Sequence, residues 1–380
     1  MVAPDVVFGL TGDVRRNWRA LRQLRALAEL GATVEVLTFG PPVEAPSPGP
    51  GIRLRVLPRP AGQGPPFFAR VHRLFAQTVR GIPARIYHAS DLYTLPAMRA
   101  AARKYRGRLV YDARECYPHL AATARRPWVR WFWRAVESRH IHDADAVFTV
   151  SDSIAEHMAR AYRMPPPTVL HNVPPYCPVT SSGYLRRQTE AGARTVLLLH
   201  QGQIQQGRGC RLLADAMRDV QGALLIFMGD GPLKAELQQH VKAAALVDRI
   251  CFLDPVPPDR LLPITASADV GITLLEDTCL NHRFALPNKL FEYLMAGLPV
   301  LASDLPEISG VVTTFEVGCV VDPANRAALV KALQRMVDDQ EARARWAAQA
   351  PRVFETFSWE KASQRFMKTY QDLLNRSAAP

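Results

Sequence analysis

The chain has 380 residues, 48% of them hydrophobic and 22% charged. That is too long for one compact core and suits two domains, with the composition of a soluble globular protein. Its net charge of +12 lies in the first half: residues 1–180 hold 25 lysines and arginines against 13 acidic residues, and residues 181–380 hold 22 of each. No apolar run approaches the ~18 residues a spanning helix needs. The opening "MVAPDVVFGLTGDV" has no basic leader and does not read as a signal peptide. Six scattered cysteines without paired spacing point to reduced thiols and argue against a zinc site. A basic half points to an anionic partner, whether membrane surface, nucleic acid or acidic substrate, with a merely solvated surface as the alternative.

In chain order, "DVVFGLTGDV" reads as a short apolar strand and a glycine-containing loop. "NWRALRQLRALAELG" follows as a helix with Leu21, Leu24, Leu27 and Leu30 near one face, and "TVEVLTF" as the next strand, giving a β-α-β unit. Residues 40–64, rich in proline and glycine, read as irregular connection. "RIYHAS" at 85–90 reads as a strand edge, "LPAMRAAARKY" as a helix, "RLVYDARE" as a strand, and "DAVFTVSDSIAEHMARAY" as strand then helix. The alternation lapses after residue 174, where prolines, Ser-Ser-Gly and charges without apolar period read as a linker. It resumes with "TVLLLHQG", "ALLIFMGDGP", "RICFLDPV" and "ADVGITLL", and "SWEKASQRFMKTYQDLL" closes the chain as an amphipathic helix. Each half is expected to form an open parallel sheet with helices on both faces, binding ligands beyond the strand C-termini, so that two facing sheets would share a cleft.

Three loops of the second half suggest such a site. "HQGQIQQGRGC", 200–210, offers Gly202, Gly207 and Gly209 for close backbone approach to a phosphate and Arg208 for charge; a plain loop is the alternative. "MGDGP", 228–232, which contains Gly229, turns a strand into a helix with Pro232 at its first turn, and also reads simply as a tight turn. "PNKLFEYLMAGLPVLAS", 287–303, shows a helical apolar stripe (Leu290, Phe291, Leu294, Met295), a stop at Gly297 and a buried strand. Lys289 and Glu292 share one face of its first turn, where a cation opposes the helix dipole. Lys289 could hold a phosphate, and Glu292 could accept from ribose hydroxyls.

The segments "GQIQQGRGCRLLADA", "FMGDGPLKAEL" and "LPNKLFEYLMAGLPVLASDLPEI" resemble, in order and spacing, the C-terminal domain of retaining glycosyltransferases of the two-Rossmann-domain (GT-B) type, family 4. "IYHASDLYTLPA", "LVYDARE" and "ADAVFTVSDSIAEHM" extend a looser similarity over the first half. The resemblance implies that Glu292 binds the donor ribose and that Arg208 is the second of a basic pair on the diphosphate. Gln203 stands where the first, normally arginine, is expected. Phe284 stands where the family usually has a glutamate touching the donor sugar. Lys289, with Arg283, is read as replacing the lost charge. In the first half the resemblance places Gly12, Asp13, His88 and Arg114 on the acceptor side. Asp91 and Glu115 join Arg208 and Lys289 as catalytic candidates, with a structural role as the alternative for His88 and Glu115. Gly202, Gln203, Arg208, Gly229, Lys289 and Glu292 form the donor set.

The Asp-x-Asp at 143–145 resembles a metal motif of a different fold, but it sits at a strand entry and reads as structural, so no metal or other cofactor is expected. "TARRPWVRWFWRAVESRHIH", 123–142, interleaves Arg125, Arg126, Arg130 and Arg134 with Trp128, Trp131, Phe132 and Trp133. It resembles an interfacial membrane helix; a core helix with tryptophans packed inside is the alternative. The expected layout is an acceptor-binding domain over 1–175, a linker over 176–193, a donor-binding domain over 194–356, and a C-terminal helix over 357–380 crossing back to the first domain. The expected activity is transfer of a sugar from a nucleoside-diphosphate sugar to an acceptor hydroxyl with retention, by front-face attack without a protein nucleophile. The acceptor would be a cell-surface glycan or lipid-linked sugar at the cytoplasmic membrane face, and nucleic acid is not an expected partner. The alternatives are an epimerase or phosphorylase on the same scaffold, and a non-catalytic basic binding protein.

Overall fold

The computed structural model describes residues 3–41, 47–62 and 64–375. It divides into two compact units, one running to His171 and taking back the chain from Glu360, the other Asn172–Trp359.

The first unit holds a seven-stranded parallel sheet: β1 Val6–Gly9, β2 Val34–Phe39, β3 Ile52–Leu57, β4 Ile86–Ala89, β5 Arg108–Ala113, β6 Ala146–Thr149 and β7 Thr168–Val169, ordered β3-β2-β1-β4-β5-β6-β7. The order reverses beside β1, the switch point at which loops of such sheets diverge. β1, β2 and β4 are buried throughout, as strands covered on both faces must be. "RIYHAS" is therefore interior, between β1 and β5, and not a strand edge. The expected irregular stretch 40–64 contains β3 among its described residues. β3 is hidden from apolar patterning because it is the sheet's edge: Arg53 and Arg55 face outward and pair with Glu35 of β2 at 3.4 and 2.8 Å.

The terminal helix Trp359–Asn375 packs within this first unit. Phe366 and Tyr370 are fully buried, Phe366 against Phe148 of β6 and Tyr370 with its hydroxyl 2.6 Å from His88 Nδ1.

The second unit holds a six-stranded parallel sheet: β8 Val196–Gln201, β9 Ala223–Met228, β10 Ile250–Leu253, β11 Val270–Thr273, β12 Val300–Ser303 and β13 Gly318–Val321, ordered β10-β9-β8-β11-β12-β13. Apolar clusters cover both faces of this sheet. The segment expected as a linker, 176–193, is part of this core. Its short helix Tyr184–Gln188 buries Leu185, and Arg186 pairs with Asp269 at 3.1 Å. Proline, serine and charge made the segment look unstructured, whereas one buried leucine and two polar ties hold it.

Candidate functional site

A cavity of about 590 Å³ opens at the C-terminal ends of β8 and β9 and the start of helix Asn288–Met295. Gly202, Gln203, Arg208, Gly229, Lys289 and Glu292 all line it. Met228, Pro255, Val256 and Leu261 form an apolar wall, and Asp230 and Asn288 add polar groups.

Glu292 is oriented by a chain of bonds that sequence reading missed. Gln201, buried at the end of β8, donates from Nε2 to Glu292 Oε2 at 2.6 Å. The amide cannot flip without loss, because Thr265 Oγ1 donates to Gln201 Oε1 at 2.7 Å. The Gln201 backbone N–H donates to the Tyr293 hydroxyl at 2.8 Å, which donates on to Ile272 O at 3.1 Å. Tyr293 fits because the facing residue of β11 is Gly271, where a Cβ would lie 2.2 Å from the Tyr293 ring. The helix ends as its glycine predicts: Gly297, at φ +75°, lets its N–H reach Leu294 O and that of Leu298 reach Tyr293 O, both at 3.0 Å.

The glycines act differently from expectation. The Gly202 N–H donates to Met228 O at 2.9 Å, that of Gly229 to Leu253 O at 3.0 Å, and that of Gly209 to Glu276 Oε1 at 3.0 Å. These amides tie the loops to one another and are not left for a phosphate. What Gly229 supplies is proximity, since a Cβ there would stand 1.8 Å from Gly202 O.

Arg208 and Lys289 are both half-buried in the cavity. Burial, then the Arg208 charge, push the Lys289 ammonium down to about 7, against smaller opposing effects of Cys210 and Glu292. Among the described residues no hydrogen bond or ion pair is made by that ammonium. Arg208, Lys289 and the Glu292 carboxylate thus share one cavity, with burial and the neighbouring guanidinium outweighing the carboxylate at the ammonium. Arg283, expected to help, is exposed, pairs with Asp277 at 3.6 Å and does not line the cavity; nor does Phe284.

The first-half candidates separate. His88, expected on the acceptor side, is fully buried in the sheet, stacked on Phe8 at 4.2 Å between ring centroids, and pushed down to about 3 by burial. It packs the core. Asp91, expected to be catalytic, is also buried: Oδ2 accepts from Thr11 N–H at 2.9 Å and Thr11 Oγ1 at 2.7 Å, and Oδ1 accepts from Thr94 N–H at 2.9 Å. It joins the loop after β1 to the loop after β4, and Arg114 stands 3.8 Å from it. Asp13 is held by Arg15 at 2.8 Å, and the Gly12 carbonyl accepts from Thr38 Oγ1 at 2.6 Å. Glu115 is exposed. Asp112 of "DARE" takes a bidentate pair from Arg19 at 2.7 and 2.9 Å, entirely buried, with Gln23 Nε2 donating at 2.8 Å. At the entry of β6, Asp143 pairs with Arg99 and Arg103, and Asp145 with Arg108 at 3.0 Å. Among the described residues one group of metal-ligating type does come together, Cys116, His119 and His157, away from this Asp-x-Asp.

Two family models match the chain in sequence: a glycosyl transferase 4-like domain over residues 17–175 and glycosyl transferases group 1 over residues 185–353. The chain belongs to the group 1 glycosyltransferases. The GT-B fold carries over nearly the whole length. Sucrose-phosphate synthase from Thermosynechococcus elongatus superposes with TM-score 0.79 at 18% identity, covering 98% of this chain and 99% of that one. Anabaena HepE, solved with UDP and glucose, superposes with TM-score 0.72 at 16% identity, covering 97% and 100%. Among curated relatives, D-inositol 3-phosphate glycosyltransferase of Corynebacterium diphtheriae is 24% identical over 261 residues, 63% of this chain and 58% of that protein. Phosphatidyl-myo-inositol mannosyltransferase of Mycobacterium leprae is 30% identical over 183 residues, 47% and 46%. The chain spans about half the length of the curated relatives it matches. In this glycosyltransferase chain the 590 Å³ cavity lies wholly within the group 1 domain.

Proposed function

We propose that the chain transfers a sugar from a nucleoside-diphosphate sugar to an acceptor hydroxyl with retention at the anomeric carbon. The observation that carries this reading is the pairing, in one cavity, of the Arg208 and Lys289 cations with a Glu292 carboxylate fixed by Gln201. Glu292 accepts from the ribose hydroxyls, the apolar wall of Met228, Val256 and Leu261 receives the base, and Arg208 and Lys289 hold the diphosphate. Rate enhancement then comes from stabilising the departing diphosphate, and no protein nucleophile is needed. A structural relative solved with UDP and glucose supports the donor class. Donor binding is proposed to need no divalent cation, because Arg208 and Lys289 supply the charge.

Relatives named for D-inositol 3-phosphate and for phosphatidyl-myo-inositol support an anionic or lipid-linked polyol as acceptor, taken by the basic first unit. The test is calorimetry with UDP, GDP and ADP, with and without EDTA, followed by product analysis of the matching nucleotide sugars with and without acceptor. No nucleotide binding sinks the reading; products formed without acceptor turn it toward an epimerase.

A second reading concerns location. No helix among the described residues is long and apolar enough to cross a membrane. Helix Pro127–Ile141 nevertheless leaves Trp128, Trp131 and Phe132 exposed, at 65%, 72% and 51%. Arg125, Arg126, Arg130 and Arg134 are exposed beside them. Only Trp133 turns inward, onto Tyr93 at 4.9 Å and Phe68 at 5.5 Å. We propose that this face rests reversibly on anionic lipid, each basic residue contributing about 1 kcal/mol near the surface. Replacing the four arginines by glutamine should release the protein from anionic vesicles at low salt while leaving nucleotide affinity unchanged. Equal partitioning to neutral and anionic vesicles removes the idea.

A further inference from the structure

We infer that Cys116, His119 and His157 form a binding site for a zinc-class transition metal, separate from the donor cavity. Cys116 and His119 lie three positions apart, at the N-cap and the last residue of the short 3-10 helix Tyr117–His119 that follows β5, and His157 comes from helix Asp152–Tyr162. Their ligand atoms, one thiol sulfur and two imidazole nitrogens, all fall within 4.8 Å of one another. Tetrahedral zinc with Zn–S of about 2.3 Å and Zn–N of about 2.0–2.1 Å places such atoms roughly 3.3–3.6 Å apart. The difference to be closed is at most roughly 1.5 Å, and His119 and His157 are only half-buried.

The donor set selects the metal. One thiolate and two imidazoles suit zinc or copper and exclude magnesium and calcium, which take oxygen ligands. Cys116 is 4% exposed, the most deeply buried of the three. The two imidazoles, their ring planes at 87° and centroids 5.1 Å apart, line a hollow of about 300 Å³ together with Arg134 and Arg160. Zinc entry displaces the thiol proton to solvent, leaving a complex of net charge +1. Arg134 and Arg160 oppose a bare cation there and favour water or a small anion at the fourth position. Bound metal would tie the loop after β5, which carries Arg114 and Glu115, to helix Asp152–Tyr162.

The test uses the untagged full chain, stripped with chelator and titrated with Zn²⁺ against a chromophoric competitor, and with Co²⁺ for its thiolate-to-metal absorption. One equivalent per chain is expected. It should be lost in Cys116→Ser and weakened at least about tenfold in His157→Gln. It should persist in Cys177→Ser, which removes an exposed thiol outside the site. Far-UV circular dichroism checks folding, and His157→Gln decides the matter if Cys116→Ser does not fold. No binding by the native chain, or one equivalent retained at native affinity in His157→Gln, overturns the inference.

Discussion

Nucleotide binding should take up a proton, and Lys289 is where it goes. In the ligand-free protein the ammonium is pushed down to about 7, burial being the larger cause and Arg208 the next. At pH 8 such a group is about nine-tenths neutral. A diphosphate beside it supplies the missing counter-charge and returns it toward the ordinary lysine value. Full restoration spans about 3.5 units, which at 1.36 kcal/mol per unit bounds the linked energy at ~5 kcal/mol; partial solvent screening lowers it. The sign follows from linkage: the complex holds the proton more tightly than the free protein, so affinity is highest at low pH and falls as pH rises above 7. The dissociation constant should rise about tenfold per pH unit between roughly pH 7.5 and 9.5, until the bound-state value is reached. Calorimetry at pH 8 in buffers of different ionisation enthalpy should show about 0.9 proton taken up per nucleotide bound. Lys289→Arg, charged at every accessible pH, should abolish that uptake and flatten the profile. A pH-independent affinity in the native protein, or an unchanged slope in Lys289→Arg, refutes the reasoning.

Glu292→Gln should weaken nucleotide binding roughly ten- to a hundredfold, since bonds to an ionised acceptor are worth about 1.5–3 kcal/mol each; an unchanged dissociation constant by calorimetry removes Glu292 from the site. Gly229→Ala should abolish nucleotide binding with a lowered melting temperature, because its Cβ would sit 1.8 Å from the Gly202 carbonyl; a native melting curve with native affinity contradicts the close approach. Arg19→Met should destabilise the protein by about 3–5 kcal/mol in urea unfolding, because it strands the buried Asp112 carboxylate. That loss should shrink at acid pH, where Asp112, held below the usual carboxylate range, is protonated once freed of Arg19.

Much of this protein follows from local sequence. Short apolar runs such as "VVFG", "VLLLHQ" and "VLAS", bounded by turn residues, read as strands covered on both faces, and alternation with helices then favours parallel sheets. "PNKLFEY" announced a cation and a carboxylate one turn apart, and the fold brings both to one cavity. Other features lie between segments and are invisible along one strand of text. β3 hides because an edge strand tolerates alternating arginines, whose partner, Glu35, lies on the next strand. Gln201 looks like any polar residue ending a strand until Thr265, Tyr293 and Glu292 converge on it from three other elements. Asp91 and His88 carry the chemistry of catalytic groups, yet packing spends the one on two threonines and buries the other beneath the terminal helix, 282 residues away in sequence. A residue's type limits what it can do. Whether it meets solvent, a ligand or a neighbour depends on burial and on partners distant in the chain, and those exist only once the sheets have assembled.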